Sequence, residues 1–142
     1  MTQPLNRLVP ALFPAALPML GQVSCGFPSP AADYQQPDLS LDQLVGIRAT
    51  SSIYLFRASG DSMRGAGVFD GDILVVDKAR QAQPGDVVLA VVGPEFLVKR
   101  LVVDAGRVSL IAENPAFAPI HFGDDEQLEV WGVCVWVLHS LS

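Results

Sequence analysis

The stretch Pro84-Gly85-Asp86-Val87-Val88-Leu89-Ala90-Val91-Val92-Gly93-Pro94-Glu95-Phe96-Leu97-Val98-Lys99-Arg100-Leu101-Val102-Val103 decides the fold class. It holds two runs dense in Val and Leu, 86–92 and 96–103, bounded by Gly, Pro and Asp as strands are. Parallel neighbours need a crossover of about a dozen residues or more, and the short Gly-Pro-Glu break leaves no room for one. The two runs must therefore pair antiparallel. Pro84-Gly85-Asp86 is a turn with a mechanism, because Pro presets one dihedral and Gly accepts positive φ.

The same reading extends outward. Runs 53–58, 73–77, 107–112 and 129–138 predict further strands, and Asp70-Gly71-Asp72 predicts a second tight turn. Strand follows turn follows strand, so the expected fold is mainly β: a curled, barrel-like, largely antiparallel sheet. Asp38 or Ser40 caps a short helix through Leu41, Leu44 and Val45, ended near Gly46.

The N-terminal part has a different character. Residues 1–25 carry a single charge, Arg7, and no acid, whereas the chain as a whole has net charge −6. Pro10, Pro14 and Pro18 break any helix in the apolar stretch 8–20, which predicts an extended arm. They also argue against a secretory signal, as does Gln22 against a lipidated Cys25. Residues 26–37, rich in Pro, read as a linker of polyproline character. The expected organisation is a removable arm over 1–25, a linker over 26–37 and a β-rich domain over 38–142. An exported lipoprotein acylated at Cys25 is the weaker alternative. No apolar run of 18 or more residues occurs beyond the arm, so no membrane contact is expected and a cytoplasmic location follows.

An acidic chain with pI near 4.6 is not expected to bind DNA directly or sequence-specifically, since phosphate contacts need clustered Lys and Arg. Cys25, Cys134, His121 and His139 have no metal-site spacing, so neither a metal nor another cofactor is expected. Cys134, inside an apolar run, reads as a small core residue. Asp124-Asp125-Glu126 and Glu113-Asn114-Pro115 read as solvated turns.

Two residues could carry chemistry. Ser62, in Ala58-Ser59-Gly60-Asp61-Ser62-Met63, follows a strand; Lys99 lies inside one, with Leu97 and Leu101 on the same strand face. A serine hydroxyl needs a base, and a lysine can serve only if burial keeps it neutral near pH 7. Arg100 cannot replace it, because guanidinium does not deprotonate. The bend at Gly60 could aim the amides of Asp61 and Ser62 at an oxyanion. Cys25-Gly26 lies at the joint of arm and linker, where a cut would release the arm. A serine after a strand is also commonly a turn residue, and a lysine among hydrophobics commonly snorkels from an edge. Cys25 with His121 or His139 makes a poorer nucleophile, because a linker gives the thiol no fixed environment.

Taken in order, Cys25-Gly26-Phe27-Pro28-Ser29-Pro30-Ala31-Ala32-Asp33-Tyr34, Ala58-Ser59-Gly60-Asp61-Ser62-Met63, Asp70-Gly71-Asp72 and Val98-Lys99-Arg100-Leu101 resemble the LexA/UmuD family of self-cleaving serine peptidases over about residues 20–140. The first stretch places the likeness with the family's SOS mutagenesis branch; residues 1–20 match poorly. The resemblance implies a sheet of the LexA C-terminal domain type, Ser62 as nucleophile, Lys99 as general base and Cys25–Gly26 as the scissile bond. It implies stimulation by the RecA filament on single-stranded DNA. It further implies that the trimmed homodimer acts with a UmuC-like Y-family DNA polymerase in error-prone translesion synthesis. The 25 residues before the cut leave no room for a helix-turn-helix domain, so operator binding is not implied. The rival expectation is a non-catalytic, dimeric, polymerase-binding module whose arm masks a surface. Such a chain would never trim itself.

Overall fold

The structure is a computed structural model that describes residues 16–20, 22–27, 36–47, 52–123 and 126–142. The chain divides into two compact units, Met1–Ala49 and Thr50–Ser142.

In the first unit, β1 (Leu17–Met19) pairs antiparallel with β2 (Gln36–Leu39) through an irregular register. Sequence reading gave this region as extended but did not foresee the pairing. The helix α1 (Leu41–Val45) follows. Ser40 is its N-cap: the Gln43 amide donates to Ser40 Oγ and the Ser40 amide to Gln43 Oε1, each at 3.1 Å. This reciprocal capping box satisfies two amides that the first helical turn leaves unpaired. Gly46 ends the helix at φ +79°, in the left-handed region.

The second unit is one sheet of seven strands in the order β3-β4-β9-β5-β6-β7-β8. Its strands are β3 (Ile53–Arg57), β4 (Ile73–Asp77), β5 (Val87–Val92), β6 (Glu95–Asp104), β7 (Arg107–Ile111), β8 (Ile120–His121) and β9 (Glu129–Leu138). All six pairings are antiparallel. The two-residue connections of β5–β6 and β6–β7 leave those pairs no alternative, whereas β9 reaches β4 and β5 from far along the chain. The sheet does not close into a barrel; β3 and β8 are its two edges. The hairpin β5–β6 pairs Val92 with Glu95 across Gly93-Pro94. The hairpin β6–β7 turns at Ala105-Gly106, both with positive φ (49° and 78°), as a two-residue turn matched to strand twist demands.

The long strand β9 serves β4 and β5 together, and its register slips against each. Trp131 is the extra residue against β5 and Val135 the extra residue against β4. Such bulges sharpen strand twist. Gly132 lies beside the first of them, where a Cβ would stand 2.7 Å from Val76 Cγ1.

Two apolar clusters form the core. Met63, Val68, Leu74, Val76 and Leu89 make one, and Val88, Ala90, Leu101, Leu110 and Val133 make the other. Met63 is 3% exposed and immediately follows Ser62, so the first cluster seats the loop that carries the serine.

Candidate active site

Ser62 lies on the loop that leaves β3 and enters a 3-10 turn at Arg64–Ala66. The turn Asp70-Gly71-Asp72 fixes the loop's start. The Ala58 amide donates to the Asp72 carbonyl (2.8 Å), the Gly71 amide to the Ala58 carbonyl (2.9 Å) and the Gly60 amide to Asp70 Oδ1 (2.9 Å). Gly60 takes φ +91°, a conformation that L side chains strain to adopt. Asp72 is itself buried. Burial works against its charge, but the Phe69 amide and His139 outweigh this and hold its carboxyl below the usual carboxylate range.

Lys99 stands in the middle of β6, opposite Val88 of β5, and is 9% exposed. Its Nζ lies 2.7 Å from Ser62 Oγ, joining residues 37 apart in sequence. Among the described residues no carboxylate lies within ion-pair distance of that nitrogen. The Phe117 ring is 5.8 Å away. Burial without a counter-charge disfavours the ammonium, and the pKa of Lys99 is lowered from the ordinary lysine value. The geometry thus provides a hydroxyl within proton-transfer reach of an amine biased toward neutrality.

The amides of Asp61 and Ser62 donate to no other described residue, whereas that of Gly60 is occupied by Asp70. A cavity of about 200 Å³ opens beside the pair, lined by Phe56, Ala58, Met63, Leu89, Val98 and others. A larger cavity of about 820 Å³, lined by residues such as Leu101, Arg107, His121 and Leu128, includes neither Ser62 nor Lys99.

Cys25 and Gly26 are exposed in a bend of the first unit, where the Gly26 amide donates to Ser24 Oγ (3.2 Å). His121 and His139 have contacts other than Cys25: His121 Nδ1 lies 2.7 Å from Ser109 Oγ, and His139 Nδ1 lies 2.5 Å from Asp72 Oδ1. Cys134 is partly buried, and burial pushes its thiol pKa up to about 12, which disfavours the nucleophilic thiolate. Asp124 and Asp125 lie outside the described residues. Among the described residues no group of three or more His, Cys, Asp or Glu could hold a metal. No described helix is long and apolar enough to cross a membrane.

Sequence reading missed the struts behind the loop. Glu113-Asn114-Pro115 does form a turn, with the Phe117 amide on the Asn114 carbonyl (3.1 Å). Yet Asn114 Nδ2 also donates to the Asp61 carbonyl (3.0 Å), and the Gly65 amide to the Glu113 carbonyl (2.8 Å). Arg100, next to Lys99, binds the Glu113 carboxylate through Nε and the Gly85 carbonyl through Nη1 (2.6 Å). Nothing local announces a partner 53 residues away; a turn dipeptide looks the same with or without one.

The family profile described as Peptidase S24-like matches residues 18–135. The LexA repressor of Bordetella pertussis is 36% identical over 131 residues, which cover 92% of this chain and 60% of that protein. Protein MucA of Escherichia coli is 41% identical over 124 residues, covering 86% of this chain and 81% of its own length. Protein SamA of Salmonella typhimurium is 41% identical over 115 residues, covering 81% and 79%. The chain thus spans about three-fifths of the LexA repressors it matches and about four-fifths of the other two.

Proposed function

The chain belongs to the Peptidase S24-like family, and from that premise we propose that it is a serine peptidase that cuts itself at Cys25–Gly26 with Ser62 and Lys99. The observation that carries the reading is the 2.7 Å separation of Lys99 Nζ and Ser62 Oγ, with the lysine buried and no counter-charge beside it among the described residues. Neutral Lys99 takes the Ser62 proton, and Ser62 Oγ attacks the Cys25 carbonyl carbon. The amides of Asp61 and Ser62 receive the oxyanion. Lys99 then hands its proton to the Gly26 nitrogen as the Cys25–Gly26 bond breaks. Water, deprotonated by the same amine, releases the acyl-enzyme. Residues 1–25 are then the removable arm, 26–37 the linker and 38–142 the peptidase-like domain.

The likeness to MucA, SamA and LexA, together with the resemblance of the Cys25–Tyr34 stretch, supports the biological setting of this proposal. The chain is a bacterial cytoplasmic SOS mutagenesis protein whose cleavage is stimulated by the RecA–single-stranded DNA filament. Its trimmed homodimer serves as accessory subunit to a UmuC-like Y-family polymerase. A stimulating filament need supply no catalytic group, only a higher affinity for the chain when the scissile segment is in place.

Intact mass followed over time at mildly alkaline pH, with and without RecA, ATP and single-stranded DNA, tests the proposal. Wild type should yield a fragment beginning at Gly26; folded Ser62→Ala and Lys99→Ala should stay whole. Cleavage by either variant at the wild-type rate would remove that residue from the mechanism. A wild type that stays whole under every condition would favour the non-catalytic binding module.

A further inference from the structure

We infer that Asn114 is a positioning residue that sets the oxyanion donor of Ser62. This rests on Ser62 being the nucleophile. The peptide unit joining Asp61 to Ser62 carries two groups on opposite edges: the Asp61 carbonyl and the Ser62 amide, antiparallel in a trans peptide. The described residues contain no cis peptide. The Asp61 carbonyl is held from one side by Asn114 Nδ2 (3.0 Å) and by the Arg64 amide (3.3 Å). The Ser62 N–H must therefore point the other way, and it donates to no described residue.

The orientation of Asn114 is set by its own contacts. Its Oδ1 accepts from the Ala116 amide (3.0 Å), which leaves Nδ2 as the group facing Asp61. A flipped amide would oppose oxygen to carbonyl and NH2 to N–H. The residue before it is anchored twice, by Gly65 to its carbonyl and by Arg100 to its carboxylate. Without Asn114, the 61–62 peptide plane keeps only the long Arg64 contact and can rotate its N–H away from a developing oxyanion. A rigid donor aimed in advance is what gives such sites their rate advantage.

The test follows self-cleavage of the full chain across alkaline pH for wild type, Asn114→Ala and the isosteric Asn114→Asp. Proton–nitrogen spectra of the same variants on a Ser62-retaining, freshly prepared sample accompany it. Expected for Asn114→Ala is a plateau rate lower by about tenfold or more, with the pH midpoint of the profile where wild type has it. The Ser62 amide resonance should move while amides of β4 and β5 stay in place. Asn114→Asp should show the same amide displacement and keeps the test decisive if the alanine variant unfolds. An unchanged plateau, or a slowed rate with an unmoved Ser62 amide, overturns the inference. A wild type that never cuts overturns the catalytic reading instead, and the amide displacement then decides alone whether Asn114 orients the peptide.

Discussion

Arg100 and Glu113 bind one another across the edge of the candidate site, and each belongs to a different half of it. Arg100 is the chain neighbour of Lys99 on β6; Glu113 offers its carbonyl to Gly65, three residues past Ser62. The strand that carries Lys99 and the loop that carries Ser62 are thus tied by a route independent of the Lys99–Ser62 contact. Both side chains are about one-third exposed, which limits the stability that the ion pair can add.

A double-mutant cycle of Arg100→Met and Glu113→Gln should give a coupling of about 0.5–1 kcal/mol in unfolding free energy. The effect on self-cleavage should be larger in proportion, because small displacements of the loop misplace the hydroxyl. Chemical denaturation and fragment yield on the four proteins check this. A cleavage rate that ignores both substitutions would mean that the tie does not position the loop.

Gly65→Ala attacks the same tie from the other end. A Cβ there would stand 2.6 Å from the Glu113 carbonyl oxygen, a backbone atom with little freedom to withdraw. Overpacking of this kind destabilises by about 1–3 kcal/mol. The expected result is a lowered melting temperature together with slowed cleavage. An alanine variant as stable as wild type would show that the loop and the Glu113 turn can separate.

The sheet was largely legible because its signals are local. Val- and Leu-rich runs between Gly, Pro and Asp located β3, β4, β5, β6, β7 and β9 to within a residue or so. Gly46 bounded α1, and of the two cap candidates the structure uses Ser40, Asp38 lying in β2. The two-residue β8 and the β1–β2 pair were not foreseen, since Ile120-His121 and Leu17-Pro18-Met19 carry no periodicity long enough to read. The mainly β, antiparallel class follows from these local signals, whereas the order of strands, and so the open edges at β3 and β8, is a tertiary property that no local pattern specifies. Ser62 and Lys99 were picked out by chemistry and resemblance, but their 2.7 Å approach is made by the pairing of strands that neither residue's neighbourhood encodes. Asn114 and Glu113 were invisible as struts for the same reason.

Asp72 sets the acid side of stability. Its folded pKa lies below the ordinary value, so its charged form is favoured in the fold. That contribution is complete above the unfolded pKa of about 3.9 and is lost as pH falls through the folded one. Relative to Asp72→Asn, wild type should be more stable near neutrality and should lose that advantage below about pH 4. Denaturation midpoints across that range test it; a constant difference would mean that the His139 and Phe69 contacts do not favour the carboxylate.

Lys99 sets the alkaline side with the opposite sign. Its folded pKa is lowered by burial, so the unfolded chain binds more protons between that value and the ordinary one of about 10.4. Stability must therefore rise with pH through this window and be least favoured by Lys99 below it, where the buried ammonium is charged in both states. Compared in a Ser62→Ala background, in which the proposed self-cleavage should not occur, Lys99→Met should be as stable as its parent or more so near neutral pH. The two should converge as pH rises. With Lys99 as the proposed base, unassisted cleavage by wild type should climb with pH through the lowered lysine pKa and then level. A flat rate from neutral to mildly alkaline pH would contradict a lysine base, whatever the stability curves do.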